Sequence, residues 1–216
     1  VLFRELAATY EAALRGHDDH QEALPIQYAD YAAWQREWLR GAALDELLSF
    51  WTEALAGAPP QSEMPSDFPR PTLQTHRGAE VSINLPGPLV ASLRAFSQSE
   101  GATVFMIVLA VSTLVLARHA GQDDFVVGTP VANRPRPELE DMIGLFLNTV
   151  VLRADLTGAP TFREWLHRIK KTCLDAFAHQ ELPFERLVDA LQSERDMSRT
   201  PVFQIFLNYL DVSGST

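Results

Sequence analysis

The run "ATVFMIVLAVSTLVLA", from Ala102 to Ala117, limits the possible folds more than any other stretch. Its only polar side chains are Thr103, Ser112 and Thr113. A bilayer span needs about 20 apolar residues, so the run is too short to cross a membrane. It predicts a helix that is apolar on most sides, and such a helix must be covered by other layers. The rest of the chain has to supply those layers.

The first 57 residues predict three helices. The first carries Leu2, Phe3, Leu6, Tyr10 and Leu14 on one stripe and ends at Gly16. It begins inside a helical pattern without a cap, so Val1 is expected to be the edge of a fragment or of a domain within a longer polypeptide. The second helix is expected from about Pro25 to Gly41, with Pro25 in the first turn and Gly41 as the stop. The third, "LDELLSFWTEAL", closes at Gly57. Then "GAPPQSEMPSDFPRPTLQTHRG" places five prolines in 22 residues. Proline fixes φ and removes a donor, so this stretch is extended and irregular.

Beyond it the pattern alternates. "AEVSINL" (Ala79–Leu85) predicts a half-buried strand, followed by a helix from about Pro88 to Ser99 and then the apolar helix. "DFVVGTPV" predicts a strand, "PELEDMIG" a short helix and "TVVLRADL" a second strand. Thr161 and Glu164 form a capping box for a helix carrying Phe162, Leu166, Ile169 and Phe177. A short helix "FERLVDAL" and a last strand "PVFQIFLNYL" complete the series. Strands separated by helices predict an α/β fold, a mixed sheet covered by helices with some parallel pairs.

Composition excludes several functions. The net charge is -10, which disfavours nucleic acid and anionic membranes as partners because both need a Lys/Arg surplus. Cys173 is the single cysteine, so no internal disulfide and no Cys-based zinc site can form within the chain. A lone cysteine fits a reducing cytoplasm. Among the six histidines, His17 and His20 flank two aspartates in "HDDH", but the segment reads as a solvated loop and no metal site is expected. No glycine-rich phosphate cradle and no G-x-S-x-G elbow occurs. Cys173 lies within an amphipathic helix and is expected in the core.

"AHQELPFERL" sets His179 between carboxylates and looks at first like an acid–base centre. Pro183 breaks the preceding helix, and Phe184, Leu187 and Val188 restart an amphipathic turn. His179 and Glu185 are then expected at a helix–helix corner, bonding backbone groups that the break leaves free.

Four ordered stretches are more particular than scaffolding requires: "YADYAAW" (Tyr28–Trp34), "GTPVANRPRPELEDMIGLFLNTVVLR" (Gly128–Arg153), "HQELPFERLV" (His179–Val188) and "RDMSRTPVFQ" (Arg195–Gln204). In this order and spacing the chain resembles the condensation domains of non-ribosomal peptide synthetases, from Val1 to about Leu210. The resemblance implies a chloramphenicol acetyltransferase-like fold of two lobes with a tunnel between them. Residues 1–58 would be the helical end of the N-terminal lobe, 59–78 an inter-lobe linker and 79–216 the C-terminal lobe. It implies formation of an amide bond between a donor acyl or peptidyl thioester and an acceptor aminoacyl thioester. Both are carried on phosphopantetheine arms of upstream and downstream peptidyl carrier proteins, beside an adenylation domain, and no cofactor is bound directly.

The family's catalytic motif is His-His-x-x-x-Asp-Gly, and this sequence has no adjacent His pair. The resemblance therefore implies that the motif lies before Val1, that no catalytic residue is present here and that the chain alone is inactive. Asn133, Arg134, Asn148, Thr149, Arg195, Asp196 and Ser198 are implied to line the tunnel. Tyr28, Asp30, Trp34, Gly144, Phe146, His179, Pro183, Phe184 and Glu185 are implied to be structural. The alternatives are a non-catalytic module that docks carrier proteins, or a truncated coenzyme A-dependent acyltransferase.

Overall fold

The computed structural model describes residues 1–17, 23–59, 64–75, 77–191 and 198–210. Three helices come first: α1 (Leu2–Leu14), α2 (Tyr28–Trp38) and α3 (Gly41–Ala54). Then follow α4 (Gly87–Ser99), α5 (Val104–Ala120), β1 (Asp124–Val131), a 3-10 turn at Pro137–Leu139 and β2 (Asn148–Asp155). The order closes with α6 (Phe162–Ala178), α7 (Phe184–Ala190) and β3 (Ile205–Phe206).

The fold is α/β, with one small mixed sheet in the order β2-β1-β3. β1 pairs antiparallel with β2 along its whole length, Asp124 opposite Asp155 and Val131 opposite Asn148. β3 pairs parallel with β1 at Val127 and Gly128. Phe125, Val126 and Val127 are all buried, as befits a central strand covered on both faces. The main core joins Leu47 and Trp51 of α3, and Leu55 just after it, to α5, α6 and the sheet.

α5 is the predicted apolar helix. Thr103 caps it, its hydroxyl accepting from Met106 N at 3.2 Å, and Gly121 ends it with φ 65°. Met106, Ile107, Leu109, Ala110, Thr113 and Ala117 are buried. Its cover is incomplete, because Val111 and Val115 are exposed. The predicted capping box of α6 forms: Glu164 N donates to the Thr161 hydroxyl, and Thr161 N donates back to Glu164 Oε2 at 2.8 Å.

Several expectations are corrected. Ala79–Leu85 is not a strand: it joins no ladder, and Val81 and Ile83 are 86% and 80% exposed. Its alternating pattern is real, but it pairs with no strand among the described residues. The last strand shrinks to Ile205–Phe206, and "PELEDMIG" becomes a single 3-10 turn. α2 starts at Tyr28 with Gln27 as its cap, so Pro25 lies outside the first turn. Gly41 does not stop α2 but opens α3, with φ 53°. The stripe of α1 covers nothing, since none of its residues is buried. Among the described residues, no single helix is long and apolar enough to cross a membrane.

Candidate functional site

The motif residues gather in two clusters that share the segment between β1 and β2. In the first, α2 packs against the 134–146 loop. Tyr31, Leu139, Met142 and Phe146 form a small core of their own, with Trp34 beside it. The Tyr28 ring meets Phe146 edge-on at 5.4 Å, and its hydroxyl donates to the Leu145 carbonyl at 3.0 Å. A Cβ on Gly144 would stand 2.2 Å from Tyr28 Cδ2. Gly144 is thus required by close approach rather than by a special φ. Asp30 serves the same contact at one remove, since its carboxylate accepts from Gln27 N at 2.9 Å and fixes the start of α2.

Arg134 holds the loop in shape. Its Nη1 donates to the carbonyls of Leu139 and Met142, the latter at 2.8 Å, and its guanidinium lies 4.1 Å above the Phe146 ring. Arg136, which sequence reasoning did not single out, lies 4.7 Å over Trp34. The Arg136–Trp34 contact leaves no local pattern in the sequence, because the partners are about a hundred residues apart. Asn133 adopts φ 50°, a conformation that asparagine tolerates better than most residues. It is 6% exposed, and its Oδ1 has no hydrogen-bond partner. A buried acceptor left open costs free energy.

The second cluster is the corner between α6 and α7. His179 caps α6, its ring stacked 3.6 Å from Phe50 and its Nδ1 2.7 Å from the Asp175 carbonyl. Trp51 Nε1 donates to the His179 carbonyl at 3.0 Å. The free backbone groups of the corner go chiefly to Asn148. Its Nδ2 donates to the carbonyls of Gln180 and Leu182 at 2.8 and 2.7 Å, and its Oδ1 accepts from Phe184 N at 3.1 Å. This satisfies the side chain almost completely. Glu185, expected to share that role, is exposed in the first turn of α7, where a carboxylate complements the helix dipole. Pro183 is the residue before α7, and Phe184 packs 5.5 Å from Phe203. Phe203 in turn fills the space above Gly128, where a Cβ would meet its ring at 2.5 Å.

The remaining positions stand apart. Thr149 pairs with Pro130 in the sheet. Ser198 is buried, and its carbonyl accepts from Arg70 Nη1 at 3.5 Å. Arg195, Asp196 and His20 lie outside the described residues. Cys173 is fully buried, and burial pushes its thiol up to about 12, so it is no thiolate nucleophile at neutral pH. Among the described residues, no group of three His, Cys, Asp or Glu side chains can hold a metal. Among the described residues the arrangement braces loops and leaves the Asn133 acceptor open.

A family model described as the condensation domain matches residues 1–214. The chain belongs to the condensation-domain family. A linear gramicidin synthase polypeptide of Brevibacillus parabrevis is 51% identical over 205 residues, which is 95% of this chain and 4% of that protein. Phosphinothricin tripeptide synthetase PhsC of Streptomyces viridochromogenes is 45% identical over 205 residues, 95% of this chain and 19% of that protein. Among solved structures, the X-domain from teicoplanin biosynthesis superposes with a TM-score of 0.86 at 31% identity, covering 94% of this chain and 46% of that one. The first condensation domain of the CDA synthetase shares the fold, with a TM-score of 0.70 at 22% identity over 97% of this chain and 45% of that one. The chain thus spans a small part of the curated relatives and under half of these solved condensation-type chains.

Proposed function

We propose that this chain forms one wall of the amide-forming centre of a peptide synthetase condensation domain. In this reading another segment supplies the His-His-x-x-x-Asp-Gly motif, whose second imidazole accepts a proton from the attacking amine. The donor and acceptor thioesters arrive on phosphopantetheine arms of peptidyl carrier proteins, with an adenylation domain adjacent, in the cytoplasm. The 133–149 segment lines the tunnel, with Asn133 Oδ1 as an open acceptor and Arg134 holding the loop from behind. The division into residues 1–58, a 59–78 linker and 79–216 belongs to the same reading, although α3 packs into the core of the later residues.

The observation that carries the proposal is unpartnered apolar surface in a chain of this family. Leu2, Phe3, Leu6, Tyr10 and Leu14 of α1 are all exposed, and so are Val81, Ile83 and Leu85 of the unpaired extended segment. These are the faces on which a second lobe would pack. The test mixes the chain with a segment bearing the His pair and measures peptide transfer between two loaded carrier proteins. Product in the mixture alone is expected. Product from the chain alone overturns the claim that it lacks the base. Saturable binding of a phosphopantetheinylated carrier with no product in any mixture would favour the docking module instead.

A further inference from the structure

Apart from the tunnel wall, α3, the outer half of β2 and α6 enclose a half-open cleft of about 440 Å³. That size suits a small organic ligand. Trp51 and Trp165 close its inner side, each only 2% exposed, with Phe50 beside them. Both indole N–H groups are spent internally, on the carbonyls of His179 and Ala110 at 3.0 and 2.9 Å. The inner lining is therefore apolar in effect.

The rim is charged: Arg153, Arg168 and Lys171 against Asp155 and Asp175. Most of that charge is committed. Arg153 pairs with Asp124 at 2.8 Å, and Lys171 pairs with Asp175 at 2.5 Å. The Asp155 carboxylate accepts from Thr157 N at 2.9 Å. Arg168 differs. Its Nη1 donates to the carbonyls of Asp155 and Thr157 at 3.3 and 2.9 Å, and among the described residues it joins no ion pair. Its charge is felt by the Asp155 and Glu164 carboxylates, but neither pairs with it directly, so its remaining donors can take a further anion beside the apolar hollow. Guanidinium groups bind carboxylates in a fork geometry, and the apolar lining favours a hydrocarbon body over a bare ion.

We propose that this cleft binds a small organic acid, its apolar or aromatic body inside and its carboxylate on Arg168. The proposal goes beyond the amide-forming role and does not depend on it. The experiment titrates the ¹⁵N-labelled chain with 4-phenylbutyrate, 4-phenylbutanol and 4-phenylbutylamine. The indole N–H signals are followed after assignment by single Trp→Phe variants. Saturable shifts of the Trp51 and Trp165 signals by the carboxylate are expected, with the alcohol binding at least about ten-fold more weakly, the size of one charge-assisted hydrogen bond. Arg168→Gln is expected to bring acid and alcohol to equal affinity. Ala54→Phe, at an exposed position on the cleft lining, is expected to abolish binding by filling the space without removing a charge. No saturable shift, equal affinities in the unaltered chain, tighter binding of the amine, or unchanged binding in Ala54→Phe would each overturn the proposal.

Discussion

At Gly144 two motifs more than a hundred residues apart come into their tightest contact. The ring of Tyr28 occupies the space where a side chain would begin, 2.2 Å from an ideal Cβ. Gly144→Ala should therefore destabilise the chain by about 1–3 kcal/mol through overpacking. If the clash is the cause, Tyr28→Ala should make the glycine replacement nearly neutral. Urea unfolding of both single variants and the double variant measures this, and strict additivity would show that the contact is not the reason. Sequence reading marked both partners as structural but not their contact, because a lone glycine does not say whether φ or space requires it. Asn148 shows the same limit. It was expected on a tunnel wall, whereas its three partners in the 180–184 corner were not legible, since they depend on where β2 starts in space.

At the scale of elements, sequence reading succeeded where the signal was local. The Thr161–Glu164 box started α6 as predicted, because a capping box needs only residues three apart. It also found β1 and β2, which pair with each other, and failed for two segments that lack a partner over most of their length. "AEVSINL" has a strand's alternation and "PVFQIFLNYL" a strand's composition, but ladder formation depends on a neighbouring edge. Only Ile205 and Phe206 find one. Besides core packing, Asn148 bonds the start of β2 to the α6–α7 corner. Asn148→Ala removes two donors and an acceptor there and should cost about 2 kcal/mol, the scale of polar groups left unsatisfied. Thermal melts check the magnitude. Hydrogen exchange should show faster opening at Phe184, whose N–H loses its acceptor, and unchanged protection there would refute the assignment.

The whole molecule carries two further expectations. The first concerns acid. The hydrogen bonds from Thr157 hold the Asp155 carboxyl below the ordinary aspartate range, with the Arg153 and Arg168 charges assisting. A carboxyl depressed on folding stabilises the chain above its unfolded pKa, about 4, and that contribution is lost as pH falls through the folded value. The melting temperature should fall below about pH 4, and Asp155→Asn should make that fall shallower. An unchanged acid limb in the variant would remove Asp155 from the explanation. The second expectation follows from surface. Soluble monomers seldom leave a contiguous apolar face open, because water contact with it is costly. Here α1 exposes Phe3 at 84% and Leu14 at 69%, and Val81 and Ile83 are more than three-quarters exposed. These faces have no cover within the described residues, so the chain alone should bury them against its own copies. Light scattering should show mass rising with concentration. Replacing Phe3 and Leu6 with Glu, both on the exposed stripe of α1, should reduce that rise without lowering the melting temperature, since neither residue contributes to the core. Under the proposed function, adding a segment that carries a His pair should also return the mixture to a defined heteromer, because the same faces would then be occupied. A chain that stays monomeric at high concentration, or one whose association survives both changes, would mean that these surfaces are not adhesive. The packing argument for a second lobe would fall with them.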